Sequence, residues 1–362
     1  MLKGVFALKG AFAAVPVLVG LLLPAGAAAE PAHLGFSEGG TLRDSLTPAQ
    51  TADLTHAAVG SGAVVRYGIS WRHVDGAGWQ EYDKLYAALQ ARGLRPLPIV
   101  TDAPRRTNLL CLAPPCPPTR PHYGGWGAFV SKVATRYPDA VALEVWNEPN
   151  LRAYWNTLLG PDPAWYAELF RVATDAVGAV DPSMPVLVAG LAPVAHDIWL
   201  ANLSVRTFLS RFYPHAASAL RPVDGLSLHP YPGRYELTAE KLAQPDSDFS
   251  NYLSAVREVR DARDPLGTAR PLWVTEIGWT MTGSKSVTES QQAQGLMAVL
   301  DVLGGMPDVQ TVLIHRLADP APRLGLRWYE RGYGLVRRDL APKLSYCSLA
   351  ARLGQPAVSG CG

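Results

Sequence analysis

A strong charge of either sign is missing from this 362-residue sequence: 33 lysines and arginines face 31 aspartates and glutamates. Two of the basic residues, Lys3 and Lys9, fall in the segment 1–29, which reads as a secretory signal. It has a basic start, a mostly apolar stretch at 15–23, and Ala27, Ala28 and Ala29 before a cleavage point. Without those two lysines the chain is formally neutral, so it carries no electrostatic footprint for nucleic acid or an anionic membrane. Long apolar runs are also missing. The stretch at 15–23 is short for a bilayer span, so the expectation is export with cleavage and no stable membrane insertion afterwards. The expected location is secreted, periplasmic or extracellular.

Cysteine is scarce. The four residues Cys111, Cys116, Cys347 and Cys361 contain no Cys-x-x-Cys pair and have no histidine cluster nearby, so a metal site is not expected. An even number in an exported chain suggests two disulfides, with Cys111 to Cys116 and Cys347 to Cys361 the pairings closest in sequence. The other two connectivities stay open. No Gly-x-Gly-x-x-Gly fingerprint follows the first strand-like segment, which weighs against an open, doubly wound nucleotide-binding sheet. Internal repeats are absent, and no low-complexity tract appears beyond the signal and a loop rich in proline and arginine at 102–123.

What is present is an alternation of strand-like and helical patterns along the whole of 30–362, the signature of parallel βα units. Strands are expected at 33–37, 64–70, 94–101, 141–146, 185–191, 223–229, 271–276 and 309–315. Helices are expected at 48–59, 79–92, 126–137, 165–180, 203–212, 249–262, 290–303 and 342–353. Eight units close most economically into a single (β/α)8 TIM barrel. The length exceeds the roughly 250 residues typical of that fold but leaves little room for a second domain, so 30–362 is read as one domain with elaborated loops.

Two of the apolar, β-prone runs end on a glutamate. One reads Leu143-Glu144-Val145-Trp146-Asn147-Glu148-Pro149-Asn150, and the other Leu272-Trp273-Val274-Thr275-Glu276-Ile277-Gly278-Trp279. A parallel barrel delivers the carboxyl ends of all its strands to one face, so Glu148 and Glu276 should meet there. Paired carboxyl groups are the equipment for cleaving a glycosidic bond, one protonating the leaving oxygen and the other meeting the anomeric carbon. Most glutamates are merely surface residues. Two at successive expected positions argue otherwise.

At these residues the chain resembles the clan A retaining glycoside hydrolases built on (β/α)8 barrels. Trp146-Asn147-Glu148-Pro149 looks like the acid/base signature at the end of strand four, and Glu276 matches the nucleophile position on strand seven. Val65-Arg66-Tyr67-Gly68-Ile69-Ser70-Trp71 and Tyr333-Gly334-Leu335-Val336-Arg337-Arg338-Asp339 look most like family thirty-nine, which includes β-xylosidases and bacterial exopolysaccharide hydrolases. The resemblance implies that Asn147 binds the sugar's 2-hydroxyl and that Arg66 holds Glu276 ionised. It also implies that His229 and Tyr231 partner the substrate or the nucleophile.

Trp71, Trp155 and Trp279 follow strands two, four and seven, where their rings are candidates for stacking on sugar faces. His73 and Asp75 are weaker candidates for the same rim. Arg105-Arg106 and Arg337-Arg338 read as solvated charges. One departure stands out: the clan commonly ends strand eight with a tryptophan that floors the sugar subsite, whereas this chain has His315, and Trp328 is the candidate substitute.

The expected protein is therefore a monomeric retaining β-glycosidase acting on a polysaccharide or oligosaccharide, with endo action the first choice and no metal or organic cofactor. A catalytically silent carbohydrate-binding envelope protein and a transglycosylase are the alternatives.

Overall fold

A computed structural model describes residues 33–38, 46–111, 113–322 and 328–361. The proposed signal, 1–29, lies outside them. Eight strands pair in parallel in the order of the chain, and the eighth pairs back onto the first through registers such as Leu34 to Val312, closing the barrel. They are β1 (His33–Ser37), β2 (Val64–Ser70), β3 (Arg95–Thr101), β4 (Leu143–Val145), β5 (Val186–Leu191), β6 (Gly225–Leu228), β7 (Leu272–Ile277) and β8 (Val309–Ile314). Most of their residues are buried, because helices cover the outer face and side chains fill the interior. Closure excludes the open doubly wound sheet.

The helices are α1 (Pro48–Val59), α2 (Trp71–Ala77), α3 (Gln80–Ala91), α4 (Tyr123–Arg136), α5 (Pro163–Gly178), α6 (Val205–Ala216), α7 (Ala239–Ala243), α8 (Asp248–Arg263), α9 (Glu289–Gly304) and α10 (Leu344–Arg352). Their starts follow from capping chemistry. Thr47 and Thr288 each form a reciprocal capping box with a glutamine three residues on, and Asp162 accepts from the amides of Ala164 and Trp165 ahead of Pro163.

The large apolar core lies between strands and helices, while Val64, Leu97, Val141, Ala142, Leu187, Trp273 and Leu313 form a separate cluster of their own. Gly225 makes room for the bulkiest of these, since a Cβ there would lie 2.6 Å from the Trp273 ring.

Two short helices, α2 and α7, stand where loops were expected. Helix α2 buries no residue and carries glycine inside and after it, so no apolar periodicity announces it; Ser70 caps it by accepting from the His73 amide. Helix α4 starts three residues earlier than expected, taking in Gly124 and Gly125. Gly125 is there for packing: a Cβ would come within 3.0 Å of the Trp71 ring.

Both expected disulfides form, Cys111–Cys116 in the long β3–α4 loop and Cys347–Cys361 fastening the chain end to α10. No helix among the described residues is long and apolar enough to cross a membrane.

Candidate active site

The segment after β4 places the first glutamate. The strand stops at Val145, shorter than expected, and Trp146 and Glu148 both take positive φ, 74° and 43°. Such backbone is costly for residues with a Cβ and persists where the surroundings over-determine it. Here they do. The Trp146 ring is fully buried, stands edge-on to Trp126 and Trp155, and donates Nε1–H to the Tyr154 carbonyl at 2.8 Å. The Trp146 amide bonds to the Val100 carbonyl on β3 and the Glu148 amide to that of Gly190 on β5, the two strands that flank β4. The side chain of Asn150 accepts from the Ala192 amide and donates to the carbonyls of Ala192 and Leu203.

Glu276 is delivered by β7, and one potential ligand atom from each of Glu148, His229 and Glu276 lies within 4.8 Å of the others. Both residues are buried. Glu276 is wrapped in donors. Arg66 Nη1 reaches its Oε1 at 2.5 Å, Tyr231 OH donates to Oε2 at 2.8 Å, and the Ser37 hydroxyl lies 3.5 Å from Oε1.

Arg66 is itself fully buried and bridges to Glu144, through Nε at 2.6 Å and Nη2 at 3.0 Å. The same Nη2 donates to Asn147 Oδ1 at 2.9 Å, which leaves the Asn147 amide nitrogen facing elsewhere as a donor. Glu144 was not foreseen as part of the site. Its signal was a carboxylate inside an apolar strand, which needs a buried cation as partner.

Glu148 has one close partner, His229 Nδ1 at 3.0 Å. The His229 ring fits only because residue 190 is glycine, where a Cβ would lie 2.2 Å from Nε2. Tyr252 holds the His229 backbone, its hydroxyl accepting from that amide and donating to the Leu191 carbonyl. His229 therefore partners the proposed acid/base more closely than the nucleophile, which lies 3.8 Å from Nδ1.

These surroundings drive the two carboxyls apart. Burial pushes Glu148 above the ordinary carboxylate range, and the charges of Glu276 and Glu330 add to that, against the opposing His229. For Glu276, burial works in the same upward direction but is outweighed by His229, His315, Arg66 and the Tyr231 hydroxyl, leaving it well below the ordinary range. Arg66 stays protonated, since Glu144 and Glu276 outweigh its burial.

His315 follows β8 and joins the site as a buried imidazole. Its Nε2 meets Glu330 at 3.2 Å, its Nδ1 lies 4.0 Å from Glu276, and its ring stands edge-on to Tyr333 and Tyr231. Burial lowers its pKa, but Glu276 and Glu330 outweigh this and raise it. Glu330 and Tyr333 come from the excursion between β8 and α10; Tyr333 opens the 333–339 segment that carries the resemblance, while no local sequence pattern marked Glu330. The side chain of Trp328, the candidate floor, lies outside what the structure describes.

The tryptophan expectations need correction. Trp155 is fully buried among Trp146, Trp165 and Tyr166, and half-buried Trp71 stacks on Phe129 at 5.9 Å in the outer helical layer. Trp155 has no face for a sugar, because it fills space between strands and helices, whereas Trp71 has one face taken by Phe129. Trp279 borders the cavity beside the glutamates, but it is only 4% exposed and packs near Gly295. Asp75 pairs with Arg106, His73 lies edge-on to Tyr82, and Arg337 pairs with Glu289, all away from the glutamates.

Glu148, His229 and Glu276 are the group among the described residues whose spacing suits a metal ion. Their chemistry does not. Both Glu276 oxygens already accept from Arg66 and Tyr231, and the guanidinium charge beside them opposes a dication.

Neither a protein-family model nor a curated protein matches the sequence. Solved structures do. A family 39 glycoside hydrolase from Bacteroides cellulosilyticus shares 19% identity over 90% of this chain and 64% of its own, with a TM-score of 0.64. The family 39 enzyme from Xanthomonas axonopodis pv. citri shares 20% identity over 91% and 71%, with a TM-score of 0.60. A family 39 β-xylosidase from Caulobacter crescentus shares 23% identity over 89% and 72%, with a TM-score of 0.57. These likenesses establish the fold. The chain spans under two thirds of the length of the first of these.

Proposed function

We propose that this protein is a retaining β-glycoside hydrolase. The observation that carries the reading is the pair of buried carboxyls, within 4.8 Å at their nearest oxygens and with pKa values shifted in opposite directions. Retaining enzymes bring the two groups to about 5 to 5.5 Å, whereas inverting ones leave a wider gap for water.

Ionised Glu276 attacks the anomeric carbon while protonated Glu148 gives its proton to the glycosidic oxygen. The leaving group departs, and a covalent glycosyl-enzyme remains. Glu148, now ionised, takes a proton from water as that water attacks the same carbon, releasing Glu276 and restoring the acid. Arg66 and Tyr231 hold the nucleophile ionised and aimed. The Asn147 amide is the donor for the 2-hydroxyl, and His229 orients Glu148. This chemistry asks for no metal or organic cofactor.

The substrate of this reading is a β-linked polysaccharide or oligosaccharide cleaved internally. A cavity of about 710 Å³ supports internal cleavage, since it runs from Tyr231 and Gly278 between the loops after β5, β6 and β7, with room beyond a single sugar ring. Export through the 1–29 signal, with 30–362 acting as one monomeric catalytic domain, fits the two disulfides.

Proton NMR of β-glycoside hydrolysis tests the reading. The β-anomer should form first; the α-anomer forming first, or no turnover across a panel of β-glycosides, would refute it.

A further inference from the structure

Trp199 is 89% exposed, in a protein whose other described large aromatics are mostly packed away, and Ile198 beside it is 56% exposed. An exposed tryptophan on a floppy loop would mean little. This one sits on a built hairpin. Ile198 and Asn202 exchange backbone hydrogen bonds at 2.8 and 3.0 Å, and Leu200 takes a φ of 58° at the turn. Asp197, at the hairpin's foot, accepts from the Ser204 amide and the Thr207 hydroxyl at the start of α6.

The hairpin is also tied to the segment that carries Glu148. Asn150, two residues past that glutamate and fully buried, clamps both ends of the 192–203 loop by bonding Ala192 and Leu203. The Arg152 amide bonds the Ala201 carbonyl at 2.7 Å, and its guanidinium reaches the Leu200 carbonyl at 3.3 Å. Trp199 is therefore held in a fixed relation to the group that protonates the leaving oxygen. It also lies near the cavity lined by Tyr231, whose hydroxyl bonds Glu276: His196 lines that cavity, and three residues span at most about 11 Å.

We propose that Trp199 is a stacking platform for the leaving-group portion of an extended β-linked saccharide, an inference that rests on the glycosidase reading above. An aromatic ring offers a flat apolar face to the C–H face of a sugar, and its indole N–H remains free for a hydroxyl. Rigid mounting lowers the entropy lost on binding. The leaving side is assigned because the hairpin is bonded to the Glu148 segment and not to β7.

The test uses the full chain with para-nitrophenyl β-glycosides of xylose, glucose, galactose and mannose, and the β-linked hexasaccharide of whichever sugar is cleaved. In Trp199→Ala, kcat/KM on the hexasaccharide should fall about ten-fold relative to kcat/KM on the aryl glycoside, mostly through KM, the scale of a truncated aromatic anchor. Trp199→Tyr should restore most of the loss. An unchanged ratio in Trp199→Ala would overturn the proposal while leaving the glycosidase reading intact. So would light scattering that showed a wild-type dimer dissolved by the substitution. Wild-type protein that cleaved nothing in the panel would instead bring down the reading on which the proposal rests.

Discussion

Glu148 and Glu276 carry the same carboxyl group into the same barrel mouth, yet their halves of the site are built differently. The β7 half surrounds Glu276 with a buried guanidinium, a tyrosine hydroxyl and two imidazoles, all favouring the anion. The β4 half gives Glu148 one imidazole partner inside a desolvated pocket, where burial favours the neutral acid. Identical side chains thus acquire different environments from position alone, the asymmetry that the proposed roles of nucleophile and acid require.

Removing Glu276 should break the comparison most severely. Glu276→Ala is expected to lose at least about 10⁴-fold in kcat, the scale seen when a covalent nucleophile is deleted. Azide should recover part of the activity on an activated aryl glycoside and yield the α-glycosyl azide, measurable by NMR. Glu148→Ala comes next, with about 10² to 10⁴-fold lost on substrates with poor leaving groups and far less on aryl glycosides that need no proton. Its pH–rate profile should lose the basic limb, which in the wild type lies above the ordinary carboxylate range because Glu148 must stay protonated.

Arg66→Met should sharpen the contrast through stability. It leaves buried Glu144 and Glu276 without their guanidinium, a loss of about 3 to 5 kcal/mol that urea denaturation would register. Tyr231→Phe removes one hydrogen bond to a charged oxygen and should lower kcat about ten-fold. The smallest effect is thermal. Because the folded state raises the pKa of Glu148, ionising it costs stability as pH rises from the ordinary carboxylate value through the folded one. Glu148→Gln should therefore melt higher than wild type at neutral pH, with the gain vanishing in acid. Glu276 behaves oppositely: its stabilisation is present above the ordinary carboxylate value and lost as pH falls through the depressed folded one.

The alternation of apolar runs and helical patterns determined eight βα units by itself, since burial of a parallel strand on both faces demands a nearly continuous apolar stretch. It also marked Glu148 and Glu276, because each ends such a stretch with a charge, whereas Arg66 came from the family resemblance and Glu144, inside the same kind of run, drew no notice. Local signals did not reach further. Tryptophan looks the same in sequence whether it fills a core or faces solvent, so buried Trp155 and exposed Trp199 carry the same local signal. Glu330 and His315 meet only because the β8–α10 excursion returns over the mouth. Trp146 and Glu148 take positive φ only because Val100 and Gly190 hold their amides from neighbouring strands. Residue type and spacing thus determined the barrel and its two carboxyls. Contacts between residues remote in the chain decided which carboxyl keeps its proton, because desolvation and neighbouring charge are properties of assembled space.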